Sequence, residues 1–319
     1  MNKIELHLHL EGAAPPGLVR ALAAEKHADL SRIFDARGHY AYDGFDDFLR
    51  VYEAATSVLQ TPRDYARLLR DVLERSAEQG VIYTELFVSP EFCGGGDLAA
   101  WRDYLAAMIE VADQMRAHGI DSRGIVTCIR HFGPDRAKAS ALCAAETAGN
   151  WITGFGMGGA EAVGKATDYR WSFDCAREAG LGLTCHAGEW GGPDSIRQAL
   201  DLGVTRLGHG VRAIEDDALV RDLVARGTVL EVCPGSNVAL GLYPGWSLHP
   251  IARLADAGVK VTVSTDDPPF FYTTMRHEYD RLADAFGWGE DDFAQINRWA
   301  VEAAFCDTPT RDRLRKEFP

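Results

Sequence analysis

The 319-residue sequence lacks the features that mark secreted or membrane-spanning proteins. Its seven cysteines form no C-x-x-C pair and are odd in number, which argues against a disulfide framework and against a cysteine-based zinc knuckle. No apolar run approaches the roughly eighteen residues of a membrane span, and no charged and apolar leader precedes the first patterned segment. We therefore expect a cytoplasmic protein.

Basic residues are also scarce. The chain has 33 Lys and Arg against 47 Asp and Glu, a formal charge of −14, and no run of basic residues. A surface that follows nucleic-acid phosphates needs clustered Lys and Arg, so we expect neither a nucleic acid nor a membrane as partner. The remaining composition, 46% hydrophobic and 25% charged, is that of an ordinary globular protein, and it makes no prediction of oligomeric state.

Short β-rich segments alternate along the chain with longer segments of helical spacing, as in a parallel sheet with crossover helices. The eight β-rich segments are 4–10, 81–89, 122–130, 151–157, 181–186, 205–209, 229–233 and 259–265. Eight strand–helix units predict an α/β fold, a (β/α)8 TIM barrel, with an open doubly wound sheet as the alternative. We expect one domain over 1–319, with a helical insertion at about 15–79 and a helical tail at about 290–319.

The first β-rich segment alternates without a break. Its apolar residues share one face, and its polar residues, Glu5, His7, His9 and Glu11, share the other. In a barrel this polar face is expected to point into the lumen, where unpaired polar groups are costly unless something binds them. Two imidazoles two residues apart on one face can reach a single metal ion.

Further candidates stand where later strands end. His186 and Glu189 follow the fifth strand, His209 ends the sixth, and Asp266 and Asp267 end the eighth. Barrel active sites are built at this carboxyl edge, so these side chains should meet at one mouth. Three neutral imidazoles and one carboxylate form a plausible catalytic zinc site with a position left for water. We assign one zinc ion to His7, His9, His186 and Asp266.

Two of the remaining candidates have chemistry available to them. A carboxyl group near the metal can carry a proton to the substrate, which suits Glu189. An imidazole near the metal-bound water can take a proton from it or hold it in line, which suits His209.

The motifs together resemble the adenosine deaminases, from about Lys3 to the C-terminal tail. They are LHLHLEG at 6–12, GGAE at 158–161, HAGE at 186–189, LGHG at 207–210, CPGSN at 233–237 and STDDP at 264–268. The resemblance implies the same zinc ligands, with Glu189 as proton donor to purine N1 and His209 activating or orienting the hydroxide. It also implies that Asp267 contacts the base and the nucleophile and that the Gly159 N–H meets purine N3. The substrate-binding candidates are then His9, Glu11, Gly159 and Asp267.

Glu11 departs from the pattern of this family. Adenosine deaminases often carry Asp at this position, in contact with the ribose 5′-hydroxyl, whereas Glu is common in related adenine deaminases. The segments 158–161 and 207–210 resemble the nucleoside enzymes more closely. We therefore predict zinc-dependent deamination of adenosine and 2′-deoxyadenosine to inosine and 2′-deoxyinosine with release of ammonia, a reaction of purine metabolism. Adenine, an N6-substituted adenine or a modified adenine nucleoside is the alternative substrate.

Other classes fit less well. A deaminase-like binding protein without turnover should have lost a metal ligand or the proton donor, and none is missing. Deaminases of the cytidine type need H-x-E with P-C-x-x-C, which is absent. Two-metal relatives of this barrel place a lysine on the fourth strand, and segment 151–159 contains none.

Within the insertion, Phe45, Phe48, Leu49 and Tyr52 recur at the spacing of one helix face. This spacing most often indicates a face buried on the body of the protein, while the family resemblance suggests an apolar lid over the mouth. The other histidines have no visible convergent partners; they are His27, His39, His118, His131, His249 and His277.

The ligand assignment predicts close to one zinc ion per chain at a single site, because His7 and His9 share one strand face and His186 and Asp266 end other strands at the same mouth. Elemental analysis of the purified protein measures this ratio. Two tightly bound ions per chain, or full activity after exhaustive chelation, would contradict a single-metal site.

Overall fold

The computed structural model describes residues 1–319 and contains eight parallel strands that neighbour one another in chain order. They are β1 (Lys3–His9), β2 (Val81–Val88), β3 (Asp121–Ile129), β4 (Ile152–Gly158), β5 (Gly182–Ala187), β6 (Arg206–His209), β7 (Val229–Val232) and β8 (Lys260–Val263). The His9 N–H donates to the Asp266 carbonyl at 3.0 Å, and the Asp266 N–H donates to the His7 carbonyl at 3.1 Å. These bonds join the chain after β8 to β1. The predicted (β/α)8 barrel is confirmed, and the open sheet is wrong.

Helices surround the barrel, and three of them lie between β1 and β2. The fourteen α-helices are α1 (Pro16–Glu25), α2 (Gly44–Thr56), α3 (Pro62–Glu78), α4 (Leu98–Arg116), α5 (Pro134–Glu146), α6 (Arg170–Glu178), α7 (Pro193–Leu200), α8 (Asp217–Arg226), α9 (Pro234–Ala239), α10 (Ile251–Asp256), α11 (Pro268–Phe271), α12 (Met275–Phe286), α13 (Glu290–Ala303) and α14 (Thr308–Arg315). Several helices begin with proline. Proline has no backbone N–H, but the N–H groups of the first turn have no partner within the helix, so no hydrogen bond is lost there. None has the length and apolar character needed to cross a bilayer. All seven cysteines are free thiols.

The apolar core has two parts. The larger lies between the barrel and its surrounding helices. A smaller cluster joins Ile4 and Leu6 of β1 to Ala300 and Val301 of α13, and it includes Leu314 of α14. The two C-terminal helices therefore pack directly on the strand that carries His7 and His9.

The alternation predicted for β1 is interrupted. Glu5 pairs with Thr84 of β2, but Leu8 pairs with Leu86, so three steps along β1 match two along β2. An extra residue of this kind turns the following side chains to a different face. The Glu5 carboxylate accepts the N–H of Thr265 at 3.0 Å and lines a separate side cavity.

Glu11 also departs from the alternation, because β1 ends at His9 and Glu11 lies in the turn that follows. The prediction that four polar side chains share the lumen is therefore wrong. Of the four, His7 and His9 alone reach the group of histidines described below.

A buried ionic group lies inside the barrel. Arg206 is 1% exposed, with its Nη1 2.6 Å from Glu85 Oε2 and its Nε 2.6 Å from Glu231 Oε1. Its guanidinium group lies over the ring of Phe305, 3.7 Å from the centroid. Removing one member of such a group leaves an uncompensated charge in the interior. The complete group thus connects β2, β6 and β7 to the C-terminal segment, and the loss of one member is expected to destabilise the fold.

We predict that Arg206→Met lowers the free energy of unfolding of the metal-free protein by about 3–5 kcal/mol, because two buried carboxylates lose their partner. Urea denaturation measures the change. The control is Arg315→Met, whose ion pair with Glu302 is half exposed and should be worth less than about 1 kcal/mol. Equal effects of the two substitutions would contradict the role of the buried group.

Candidate active site

A group of histidines and one aspartate lies at the carboxyl ends of the strands. His9 Nε2 is 3.1 Å from His186 Nε2 and 3.3 Å from Asp266 Oδ1. His7 Nε2 is 3.4 Å from the same Asp266 oxygen. Ligand atoms at about 2.0–2.1 Å from a tetrahedral zinc ion lie about 3.3–3.4 Å from one another. Three pairs among the four predicted ligands, His9–His186, His9–Asp266 and His7–Asp266, therefore have the spacing of ligands to one zinc ion.

Hydrogen bonds leave the required atoms free for a metal. His7 Nδ1 lies 2.7 Å from Glu231 Oε2, and its Nε2 is buried without a hydrogen-bond partner. Since the Glu231 carboxylate can only accept, Nδ1 carries a proton, and Nε2 can present its lone pair to a metal. Ser236 donates to Asp266 Oδ2 at 2.7 Å, while Oδ1 faces the two β1 histidines. These donors fit a divalent metal.

The charges of the group suit a cation. Burial lowers the pKa of His9 and of His186, so both imidazoles are available in the neutral form. Burial opposes ionisation of Asp266, but hydrogen bonds with His7 and His9 outweigh it and hold its pKa well below the usual value. Burial also lowers the pKa of His7, yet Asp266 and Glu231 raise it overall to about 9. The local field at His7 Nε2 thus favours positive charge.

His209 lies beside this group. One ligand atom each from His7, His186, His209 and Asp266 lies within 4.8 Å of the others, so distance alone admits His209 as a ligand. Its Nε2 is 3.8 Å from Asp266 Oδ2, however, which is farther than His9 Nε2 is from Oδ1. His209 and Asp266 have φ values of 61° and 66°, a left-handed conformation that non-glycine residues keep only where surroundings enforce it.

Two further carboxyl groups face the same space. Burial raises the pKa of Glu189 well above its ordinary value, and the nearby carboxylates of Asp266 and Glu161 raise it further. Burial, Asp266 and Glu189 likewise raise the pKa of Asp267, whose Oδ1 is buried without a partner. Both groups therefore hold a proton more readily than an exposed carboxyl group does.

Glu161 holds the loop that presents Glu189. Its carboxylate accepts the N–H groups of Gly188, Glu189, Trp190 and Gly191 at 2.6–3.1 Å, and also the hydroxyl of Ser195. Burial would raise the pKa of Glu161, but these bonds lower it overall, so it remains ionised. One buried carboxylate thus determines the path of the chain at 188–191.

A cavity of about 70 Å³ opens above this floor. Its wall is mostly apolar and consists of Phe45, Phe48, Leu49, Tyr52, Phe92, Ile129, Leu240 and Phe271, with Glu53 and His131 as polar members. The α2 side chains both pack on the body, as Phe48 does against Phe271, and cover the mouth. The spacing of these residues is therefore consistent with both interpretations, a helix face buried on the body of the protein and an apolar cover over the mouth.

Two predicted substrate-binding residues differ in their placement. Gly159 lines the cavity with φ 92°, and a Cβ there would lie 2.8 Å from His131 Nδ1, so both the backbone conformation and the close approach of His131 favour glycine. Glu11 is not in the cavity wall; its carboxylate accepts the hydroxyl of Tyr65 at 3.0 Å and the N–H of Ser89 at 3.3 Å. Its contact with a ribose stays a prediction without structural support.

Sequence reasoning missed several residues of this site. Glu231 could have been found, because it is a charge in the middle of the apolar segment 229–233. Glu161 and Asn237 stood in recognised motifs without a role. His131 and His249 carry no local pattern, and their partners, Glu53 and Asn237, are distant or on another loop.

Comparisons with known proteins agree with the geometry of the site. Residues 2–318 match the family model described as adenosine deaminase. An adenine deaminase from Agrobacterium fabrum is 48% identical over 98% of this chain and 96% of its own length. The crystal structure of an adenine deaminase from Arthrobacter aurescens superposes with a TM-score of 0.90 at 29% identity, covering 99% of this chain and 97% of that one. An amidohydrolase structure from Burkholderia ambifaria with bound Zn has a TM-score of 0.89 at 26% identity and covers 100% and 89%.

We predict that Glu161→Gln lowers kcat by about 10²-fold, because the loop at 188–191 loses its charged acceptor and Glu189 shifts from its place. Steady-state kinetics and metal content are the measurements, and the metal should be retained. Glu178→Gln, at the exposed end of α6, is the matched control and should leave kcat unchanged. A Glu161→Gln protein as active as this control would show that the loop needs no such support.

Proposed function

The chain belongs to the adenosine deaminase family, and from this premise we propose that it hydrolyses adenine to hypoxanthine and ammonia. The family makes it a hydrolase of C–N bonds in cyclic amidines. Relatives 44–48% identical over nearly the whole chain are adenine deaminases, which favours adenine over the adenosine that the motifs first suggested. The prediction of adenosine and 2′-deoxyadenosine as main substrates is not supported by the comparisons.

The aromatic wall of the cavity is the structural observation that favours adenine over a nucleoside as substrate. Adenine is a flat aromatic ring system whose faces can pack against Phe48, Phe92 and Phe271, while its polar edge can face the floor. A ribose placed here would meet mostly apolar side chains, with Glu53 and His131 as polar members of the wall. Each buried ribose hydroxyl that reaches neither would lose its water at a cost of about 1–3 kcal/mol. Glu11, which was expected to reach a ribose, is occupied by Tyr65 and Ser89.

We assign a zinc ion to His7, His9, His186 and Asp266, since imidazole and carboxylate ligands in this number are typical of catalytic zinc. The amidohydrolase neighbour with bound Zn supports this choice of metal. When bound, zinc supplies hydroxide near neutral pH by lowering the pKa of water.

The chain's own residues then direct the proton movements. Glu189, whose pKa is raised by burial, carries a proton that it delivers to ring nitrogen N1, which makes C6 a better acceptor of the nucleophile. Asp267 and His209 border the same floor and orient the attacking oxygen. The Gly159 N–H contacts N3 at the other edge of the base. The apolar wall excludes bulk water from the reacting groups.

The test of the substrate is the release of ammonia from adenine, adenosine and 2′-deoxyadenosine, and of methylamine from N6-methyladenine. We expect the kcat/KM for adenine to exceed that for adenosine by about 10²-fold or more, because the mostly apolar wall offers few partners to ribose hydroxyls. The zinc-loaded protein serves for all four compounds. A higher kcat/KM for adenosine would move the proposal back to the nucleoside, and release of neither ammonia nor methylamine from any compound would refute deamination.

Glu189→Gln should lower kcat by about 10²- to 10⁴-fold, because the amide keeps the size and hydrogen bonding of the side chain but has no proton to give. Zinc content, measured in parallel, should not change. Turnover close to wild type would remove the acid role from Glu189. Loss of zinc in this variant would instead make Glu189 a metal ligand.

A further inference from the structure

A chain of hydrogen bonds reaches the active site from the start of α10. Asn237 of α9 is fully buried, and its Nδ2 lies 3.3 Å from Glu189 Oε1 and 3.3 Å from His209 Nδ1. Its Oδ1 lies 3.1 Å from His249 Nε2. The backbone N–H of Ile251 donates to His249 Nδ1 at 3.2 Å. The chain therefore runs from a backbone amide to two residues of the active-site floor.

The backbone end determines where the protons lie. An amide N–H can only donate, so His249 Nδ1 must accept, and a neutral imidazole with an accepting Nδ1 carries its proton on Nε2. Burial, with a smaller contribution from His209, lowers the pKa of His249 to about 3, which agrees with the neutral form. His249 Nε2 is therefore the donor to Asn237 Oδ1.

This donor leaves one orientation for the Asn237 amide. With the amide reversed, its NH2 group would face the N–H of His249, two donors in contact. In the allowed orientation the two amide hydrogens point at Glu189 Oε1 and His209 Nδ1, which must both accept. A doubly protonated His209 is excluded as well, because it would offer a donor to this NH2 group.

We propose that Asn237 and His249 are positioning residues that hold His209 as the Nε2–H tautomer and reserve Glu189 Oε1 as an acceptor. His209 Nε2 then donates a hydrogen bond toward the attacking oxygen and orients it, and it does not remove its proton. The acidic proton of Glu189 is confined to Oε2. The roles of Glu189 and His209 in catalysis rest on the proposed function, but the tautomers do not.

The tautomers can be read directly. In zinc-loaded protein labelled with ¹⁵N-histidine, long-range ¹H–¹⁵N correlations distinguish Nδ1–H from Nε2–H rings, and signals are assigned by single His variants. We expect Nε2–H for both His209 and His249 at neutral pH. An Nδ1–H ring at His209, or a metal-bound Nε2 there, overturns the proposal whatever the substrate proves to be.

Substitutions test whether these hydrogen bonds determine the tautomer of His209. Asn237→Asp keeps the shape but offers only acceptors, so His209 should gain a proton on Nδ1, with kcat lowered about 10²- to 10⁴-fold and KM affected far less. His249→Phe removes the donor and should give His209 a mixture of tautomers. Tyr243→Phe is the control. The Tyr243 ring packs edge-on to His249, with the ring centroids 5.0 Å apart, but it takes no part in these hydrogen bonds, so this substitution should change neither the His209 signal nor kcat.

Each outcome decides the matter. A change of the His209 signal in the two chain variants, with zinc retained, supports the proposal. A His209 signal that stays Nε2–H in both shows that Asn237 and His249 do not set the tautomer and overturns it. Absence of adenine turnover with the expected signals would refute the proposed function and leave the tautomer assignment standing.

Discussion

The rest of the site depends on one buried carboxylate, Glu231. One of its oxygens accepts Arg206 Nε and the Thr184 hydroxyl, and the other accepts His7 Nδ1. Because Arg206 neutralises it, Glu231 stays ionised in the middle of the barrel, and the His7 ring is held with a bare Nε2 at the floor of the cavity. The same guanidinium group contacts Glu85 of β2 and lies over Phe305 of the C-terminal segment. The charge that stabilises Glu231 below the metal site therefore also contacts the barrel interior and the C-terminal segment.

Two histidines on this floor are given opposite tautomers by different partners. The Glu231 carboxylate accepts a hydrogen bond from His7 Nδ1–H, which leaves Nε2 bare for a metal, while the Asn237 amide donates to His209 Nδ1, which leaves the proton on His209 Nε2. A metal cannot bind a protonated nitrogen, so this difference separates His7 as a ligand from His209 as an orienting residue, although distance alone admits both beside His186 and Asp266. Acceptors and donors outside the ligand set thus assign the roles within it.

Sequence alone could predict the barrel, because eight β-rich segments with helical connections have few other arrangements, and it could predict which strand ends carry polar groups. The failures have local causes. Alternation in β1 could not reveal the extra residue between Glu5 and Leu8, nor that the strand ends before Glu11. The partnership of Glu161 with four backbone N–H groups and that of His249 with Asn237 depend on loop paths, which have no periodicity to read.

The most direct test of this account is anomalous diffraction from crystals of the zinc-loaded protein, with data on both sides of the zinc absorption edge. The account predicts a single peak per chain, bonded to Nε2 of His7, His9 and His186 and to the Asp266 carboxylate, with His209 Nε2 outside bonding distance. A zinc ion bonded to His209 in place of His9, or a second peak of similar height, would contradict it.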